Sequence, residues 1–416
     1  MTASLLQQGF GPGSNGFGGF NPAAVGEFDQ DNVAIYGELE GDVTEQLTLQ
    51  AALRWEDFNT FGSTTNWKVG GLYKFNDAIR VRGTYSTGFH APTPGQANVV
   101  NVTTQFTANG LQDSGILPVT SAPAQLISPG AELGPEEADN ISVGVAFDSD
   151  FGSLTIDYFN IQVDGRIATT SDVDFTAALS QLADDNGLNL PAGQAEITNN
   201  FLNLLNENNV LNIADFAGFE GTSSFSTFAN AFDTRTQGID VVYNYPFEFA
   251  GGDSRLTVVG NWTDTSVQNI LLSDGTLADA DNINFDSDLG PTSVLSQGRI
   301  ASLEDNIPNF KGNATWNHSQ GRFSGYLRAN YWGSYFEDHL DANLAFPIDA
   351  GAEVTFDAEI TANVYEGFDI SVGAQNFLDE FPDENPFSGV VGAAFPSTSP
   401  FGFNGGSYYV KGSYTF

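Results

Sequence analysis

Residues 354–364 read VTFDAEITANV. Val354, Phe356, Ala358, Ile360, Ala362 and Val364 fall on one side of an extended chain, and Thr355, Asp357, Glu359, Thr361 and Asn363 on the other. This alternation has the two-residue period of a β-strand whose faces meet different surroundings. In a soluble sandwich those surroundings are core and water; in a membrane barrel they are lipid and a water-filled lumen. One strand cannot separate these cases, so the rest of the chain has to.

Composition removes several classes. The chain has 416 residues with 41% hydrophobic content, and no apolar run approaches the ~18 residues that a membrane helix needs. Asp and Glu number 52 against 13 Lys and Arg, a formal net charge of −39. A phosphate backbone would be repelled, which argues against nucleic acid as a partner. Acidic chains are often disordered, but 35 Phe, 13 Tyr and 5 Trp supply the apolar mass that disordered segments lack. The chain has no Cys, which is compatible with work outside the cytoplasm without disulfides. The opening MTASLLQQGFGPGSNGFGGFNP lacks a basic stretch followed by an apolar one, so it does not read as a signal peptide; either the signal has been removed or the chain is a fragment.

Period-2 segments bounded by Gly, Asn, Asp and Pro give about thirteen strands of roughly ten residues, the length of a tilted membrane strand. They fall near 32–40, 46–56, 66–75, 79–89, 138–148, 153–163, 237–248, 254–264, 309–317, 322–332, 354–364, 368–377 and 407–416. Their connections alternate between short and often very long. GDVTE (41–45), NDA (76–78), SDFG (149–152), AGGDS (250–254), HSQG (318–321) and YEG (365–367) are short. The segments near 57–65, 90–137, 164–236, 265–308, 333–353 and 378–406 lie between them. A sandwich has no reason to collect its long loops at one end, whereas outer-membrane barrels have short periplasmic turns and long extracellular loops. The expectation is an all-β, antiparallel transmembrane β-barrel.

The faces agree. Tyr408, Val410, Gly412, Tyr414 and Phe416 oppose Ser407, Tyr409, Lys411, Ser413 and Thr415, and Leu47, Leu49, Ala51, Leu53 and Trp55 oppose Thr48, Gln50, Arg54 and Glu56. A Lys or Arg on the lipid side near the bilayer centre would cost about 2–4 kcal/mol. Arg54, Arg80, Arg82, Lys311 and Arg328 are therefore expected to face the lumen, together with Asp357 and Glu359 from the polar side of 354–364. Aromatic residues near strand ends (Trp55, Trp67, Tyr73, Phe89, Tyr243, Tyr245, Trp262, Trp316, Tyr331, Trp332, Tyr414 and Phe416) would form interfacial girdles. Bacterial single-chain barrels have an even number of strands. An odd count with a periplasmic C-terminus makes strand 32–40 run inward from an extracellular start. Residues 1–31 then read as the remnant of an extracellular loop and 32–416 as barrel, with an N-terminal part expected to be missing.

Several local patterns, taken in order, resemble the TonB-dependent outer-membrane receptors of Gram-negative bacteria. RVRGTYSTGFHAPTPGQ (80–96) resembles that family's strand ending in Gly-Phe-Arg-Ala-Pro, with His90 in place of Arg. ELGPEEADNISVGVAF (132–147) resembles its Leu-x-Pro-Glu segment, TQGIDVVYNYPF (236–247) its Thr-x-Gly strand, and VGAQNFLDEFPDENP (372–386) its Asn-Leu-Phe-Asp segment. The close on Tyr-Thr-Phe, with Tyr414 and Phe416, is similar to the aromatic terminus read by the barrel-assembly machinery. The resemblance covers about residues 27–416. It implies a barrel of twenty-two strands, of which this chain would supply about thirteen, normally closed by an N-terminal plug. It also implies contact with the TonB complex through the missing N-terminal region, residence in outer-membrane lipid, and a monomeric state. The implied activity is uptake of a scarce small-molecule or glycan ligand such as a siderophore, cobalamin or oligosaccharide, with a slight lean toward a glycan from the abundant aromatics. A passive porin without plug and a secreted β-sandwich adhesin remain the alternatives.

Candidate chemistry is sparse. His339 in YFEDHLDAN sits beside Asp338 and Asp341, but no nucleophile or second ligand accompanies it, so a solvated loop histidine is expected rather than a catalytic or metal site. DADNINFDSDLG (279–290) carries four Asp but lacks the glycine of an EF-hand loop, and reads as a solvated acidic loop. No cofactor is expected. Residues 173–210 switch to helical spacing at Leu179 and Leu182, then Phe201, Leu204 and Leu205. Short helices over the barrel mouth are expected there, with a ligand lid as the sharper possibility. The triplets at Asn140 and Asn261 lie in strands and are not read as glycosylation sites.

Overall fold

The computed structural model describes residues 26–107, 110–285, 292–339 and 344–415, with backbone placement also for 13–14 and 17–18. Thirteen strands make one antiparallel meander: β1 (Asn32–Asp42), β2 (Leu47–Phe58), β3 (Gly62–Lys74), β4 (Ile79–His90), β5 (Glu136–Ser149), β6 (Gly152–Thr169), β7 (Thr222–Phe249), β8 (Gly252–Leu271), β9 (Phe310–Gln320), β10 (Phe323–Trp332), β11 (Glu353–Tyr365), β12 (Phe368–Gln375) and β13 (Ser407–Tyr414). Twelve ladders join each strand to the next. The strands follow one another in a single curved barrel wall whose first and last members are β1 and β13. Among the described residues, each of these two strands has a residue-by-residue register on one side only. Both are also exposed along nearly their whole length. Among the described residues the wall is therefore held by twelve ladders, with β1 and β13 as its two edges.

Continuous register carries one polar and one apolar face around the wall. Arg328 lies opposite Asp357, and Leu327 opposite Ala358; Ile360 lies opposite Val372, and Val372 opposite Val410. Large apolar side chains on the second face remain exposed, among them Leu53, Ile360, Val372 and Val410, as a surface made for hydrocarbon requires. Two aromatic levels bound it. Trp67 stacks on Tyr85 and Phe310 meets Tyr331 toward the long loops, while Tyr73 meets Phe75 and Phe249 meets Trp316 beside the short turns. Six residues of strand, roughly 20 Å, separate Trp67 from Tyr73 and Phe310 from Trp316, close to the height of a barrel's apolar band. Trp332 departs from the girdle expectation. It pairs in register with Lys311 on the polar face and stacks on Phe401.

The short turns follow from glycine. Gly152 has φ +104°, and a Cβ there would lie 2.0 Å from the Asn244 carbonyl oxygen, so β5 can return into β6 only without a side chain. The expected long segment 57–65 is instead a tight hairpin, because β2 and β3 extend to Phe58 and from Gly62. The ten-residue estimate also fails for β6, β7 and β8, which run 18, 28 and 20 residues. Beyond the membrane band, Thr222–Thr227 gains a parallel neighbour in the strand Gly110–Leu117, and Ser224–Phe225 pairs with Val173–Asp174. Ala231, Phe232, Asp233 and Thr234 are buried in succession there. With both faces covered, the period-2 signature that would have revealed the extension disappears.

The long loops fold into a cap. Helices α1 (Phe175–Asp185) and α2 (Thr198–Glu207) form where helical spacing is expected, and Asp174 caps α1 by accepting from the Ala177 N–H at 2.8 Å. Leu117, Ala124, Phe175, Leu179, Phe201, Leu202, Leu205, Phe216 and Phe225 share one core, joining loop 90–137 to loop 164–236. Each fully buried Phe or Leu contributes about 1.5–3 kcal/mol, which gives these loops a core of their own. A second core sets helix α3 (Gln297–Asp305) against the upper parts of β6, β7 and β8 through Ala168, Phe232, Val267, Ile270 and Leu295.

Candidate functional site

The polar face gathers the cations. Arg54, Lys68, Lys74, Arg80, Arg82, Arg255, Lys311, Arg328 and Lys411 all fall on it by register, nine of the chain's 13 Lys and Arg. The five basic residues singled out by sequence are among them, as are Asp357 and Glu359. They are not equivalent. Arg54 grips Glu56 through Nε and Nη2 at 2.7 Å each, and Asn32 donates to the same carboxylate at 3.0 Å. Arg80 pairs with Asp148. Arg82 holds Asp157 with two bonds of 2.8 and 2.6 Å. Arg328 donates to Thr315 Oγ1 at 3.0 Å and lies over the Tyr326 ring, so its register partner Asp357 is left to Asn330 and to the Asn376 N–H. Glu359 accepts from the Tyr409 hydroxyl at 2.7 Å. Lys68, Lys74, Arg255, Lys311, Arg328 and Lys411 form no ion pair among the described residues.

The Arg82–Asp157 pair spans β4 to β6 across β5, and Gly144 lies beneath it. A Cβ at Gly144 would sit 1.8 Å from Asp157 Oδ1 and 2.9 Å from Arg82 Nε. Sequence reading passed over this glycine; its only signal was a small residue within an otherwise regular strand pattern. Gly144→Val should separate the pair and destabilise the wall by about 1–3 kcal/mol through overpacking, measured as a lower urea midpoint of the lipid-reconstituted protein.

The motif residues prove to be structural fasteners. Gly238 in the TQG stretch leaves room for the Phe159 ring, 2.4 Å from where its Cβ would lie. Glu136 of LGPEE accepts from the Ile167 N–H at 2.8 Å and lies 3.8 Å from His90. In NFLDE, Asn376 and Asp379 adopt positive φ, and Asp379 accepts from the Gly406 N–H at 2.8 Å, tying the end of β12 to the start of β13. Tyr414 lies on the apolar face of β13, opposite Phe368; Phe416 lies outside the described residues.

Near the short turns, the polar face opens into a recess of about 930 Å³ bordered by Glu248, Asp253, Arg255, Asn317, Tyr326 and Glu359. At the other end stands the cap. His339 is not the solvated histidine expected from sequence: it is 4% exposed, and its Nδ1 lies 2.7 Å from Glu337. Glu337, in the hairpin Tyr335–Asp338/Pro347–Ala350, also accepts from the backbone N–H groups and hydroxyls of Ser397 and Thr398. Burial pushes the Glu337 carboxyl up, but these donors and His339 outweigh it and hold the group below its ordinary value. The carboxylate thereby fastens loop 333–353 to loop 378–406. Asp341 lies outside the described residues. In 279–290, Asp279 accepts from the Asp281 N–H at 2.9 Å, and 286–290 lie outside the described residues. Among the described residues no cluster of three His, Asp or Glu is arranged to hold a metal.

Glu304 of α3 is shifted the other way. Burial raises it; its bond from the Val267 N–H opposes the rise, and Asp305, Asp281 and Asp264 add to it. A raised carboxyl contributes stability that is complete below the unfolded value of 4.5 and lost as pH rises through the folded value. Glu304→Gln keeps the acceptor for Val267 and removes the repulsion, so at neutral pH it should slow hydrogen exchange across 297–305.

Comparison with known proteins agrees with this architecture. The model of the family described as TonB dependent receptor-like, beta-barrel matches residues 3–377. Among solved structures, the chain is similar to a variant of the ferric enterobactin receptor of Pseudomonas aeruginosa (10% identity, TM-score 0.59, covering 93% of this chain and 45% of that one). It is also similar to the siderophore receptor PirA of Acinetobacter baumannii (14%, 0.59, 95% and 47%) and the FrpB iron transporter of Neisseria meningitidis (10%, 0.52, 92% and 45%). The chain thus spans somewhat less than half the length of these structures. The family's members are outer-membrane transporters rather than enzymes. An apolar belt between two aromatic levels, a polar face rich in cations, a folded loop cap and the family match lead to one assignment: this chain belongs to the TonB-dependent receptor β-barrel family and resides in the outer membrane.

Proposed function

We propose that residues 32–416 form barrel wall of a receptor that takes up a scarce ligand actively, with energy delivered through the TonB complex, and that residues 1–31 belong to an extracellular loop. The polar face lines the lumen, and the cap around α1 and α2 is the ligand lid. Residues 26–31 support the placement of the loop: Gln30 donates to Thr60 and to the Pro92 carbonyl, beside the long-loop ends of β2 and β4. The observation that carries the functional reading is the set of six cations on the polar face that form no ion pair among the described residues, behind a wall whose other face is apolar. Such cations suit an anionic metal chelate better than a neutral glycan, and the similar structures are named as siderophore and iron receptors. A siderophore complex is therefore the ligand class proposed.

The test is uptake of radiolabelled iron chelates by cells carrying or lacking the full native gene. Accumulation should depend on the gene, stop when the proton gradient is collapsed, and fall severalfold in the Lys311→Gln/Arg328→Gln variant. Equal entry into energised and de-energised cells would instead identify a passive channel.

A further inference from the structure

We propose that the apolar face of β9–β11 carries a binding site for one glycerophospholipid of the periplasmic leaflet, with its phosphate held by His318 and Arg322. A groove of about 390 Å³ runs over this face. Its outward side chains are Trp316, His318, Phe323, Leu327, Ala358 and Ile360, and Gly325 forms its floor. It starts at the short turn between β9 and β10 and runs toward the bilayer centre: Phe323 to Leu327 is four residues, roughly 13 Å, enough for the upper part of an acyl chain.

The end beside the turn is polar in an organised way. Ser254, 6% exposed and on the apolar face, accepts from Trp316 Nε1–H at 3.3 Å and lies 2.9 Å from His318 Nδ1. A buried hydroxyl that already accepts from an indole needs an acceptor for its own proton, and Nδ1 supplies one. With Nδ1 turned to Ser254, the ring presents Nε2–H as a donor at headgroup level. Phe249 and Trp316 pack against the ring and fix its plane. Arg322 follows two residues beyond Gln320, its guanidinium 5.2 Å over the Phe323 ring that borders the groove, and it forms no ion pair among the described residues. In a chain with net charge −39 and nine of its 13 cations on the polar face, an arginine over the Phe323 ring and a histidine at the turn-side end of the same apolar groove match a phosphodiester with a hydrocarbon tail.

Native mass spectrometry of the full chain in detergent, supplied with phosphatidylglycerol, tests the site. Wild-type protein should retain one tightly held lipid and discriminate about tenfold against diacylglycerol of the same chains. His318→Phe/Arg322→Gln, which keeps a ring against Phe249 and Trp316, should lose that tenfold preference. Leu327→Trp, which fills the groove, should lose retention altogether. Equal retention of the diacylglycerol by wild-type protein would overturn the proposal whether or not the variants fold. So would a lipid lost in Leu327→Trp but unaffected by His318→Phe/Arg322→Gln, which would mark hydrocarbon contact only.

Discussion

Val372→Arg should destabilise the bilayer-inserted barrel by about 2–4 kcal/mol, the cost of a guanidinium near the hydrocarbon midplane. Val372 sits in the middle of an apolar row between Ile360 and Val410 and is 58% exposed. Its neighbours in that row are aliphatic, so the new charge would have no partner within the wall. Gln375→Arg, on the polar face of the same strand, is the control and should change stability by less than about 0.5 kcal/mol. Urea titration in lipid vesicles, followed by tryptophan fluorescence, separates the two. Equal effects of both substitutions would mean that hydrocarbon does not touch this face.

Glu337→Gln should loosen the outer loops by about 3–5 kcal/mol, because removing one partner of a buried pair leaves the rest unmatched. An amide cannot accept from both Thr398 donors, from Ser397 and from His339 in the same geometry. Hydrogen exchange should rise in 335–338, 347–350 and 397–398 while the wall strands stay protected. Acid should do the same to the native protein. The folded carboxyl is held below its unfolded value of 4.5, so its contribution is complete above that value and is lost as pH falls through the lower folded one. Exchange that does not change below pH 4.5 would show that the carboxylate does not fasten the loops.

The wall was legible because a membrane imposes a simple rule on each strand. Arg54, Arg80, Arg82, Lys311 and Arg328 share the face of Asp357 and Glu359, as hydrophobic alternation alone implies. Above the membrane that rule lapses. Leu117 and Phe225 meet in one core although 108 positions apart, and no local period encodes such a contact. Glu337 looked like one acid among many in YFEDHLDAN, since its donors at Ser397 and Thr398 lie sixty residues downstream. Trp332 was misplaced because the aromatic count near strand ends ignores parity; its neighbour Tyr331 takes the outward position. Gly144 was missed because its importance lies in what crosses over it.

The length of β7 has a mechanical consequence. Of its 28 residues, about ten suffice to cross hydrocarbon, so at ~3.3 Å per residue some 50–60 Å of paired ribbon stands clear of the bilayer. The outermost helices ride on a stiff mast rooted in the rim rather than on a slack tether. A force applied at the tip would therefore reach the membrane edge as torque instead of being absorbed by loose chain.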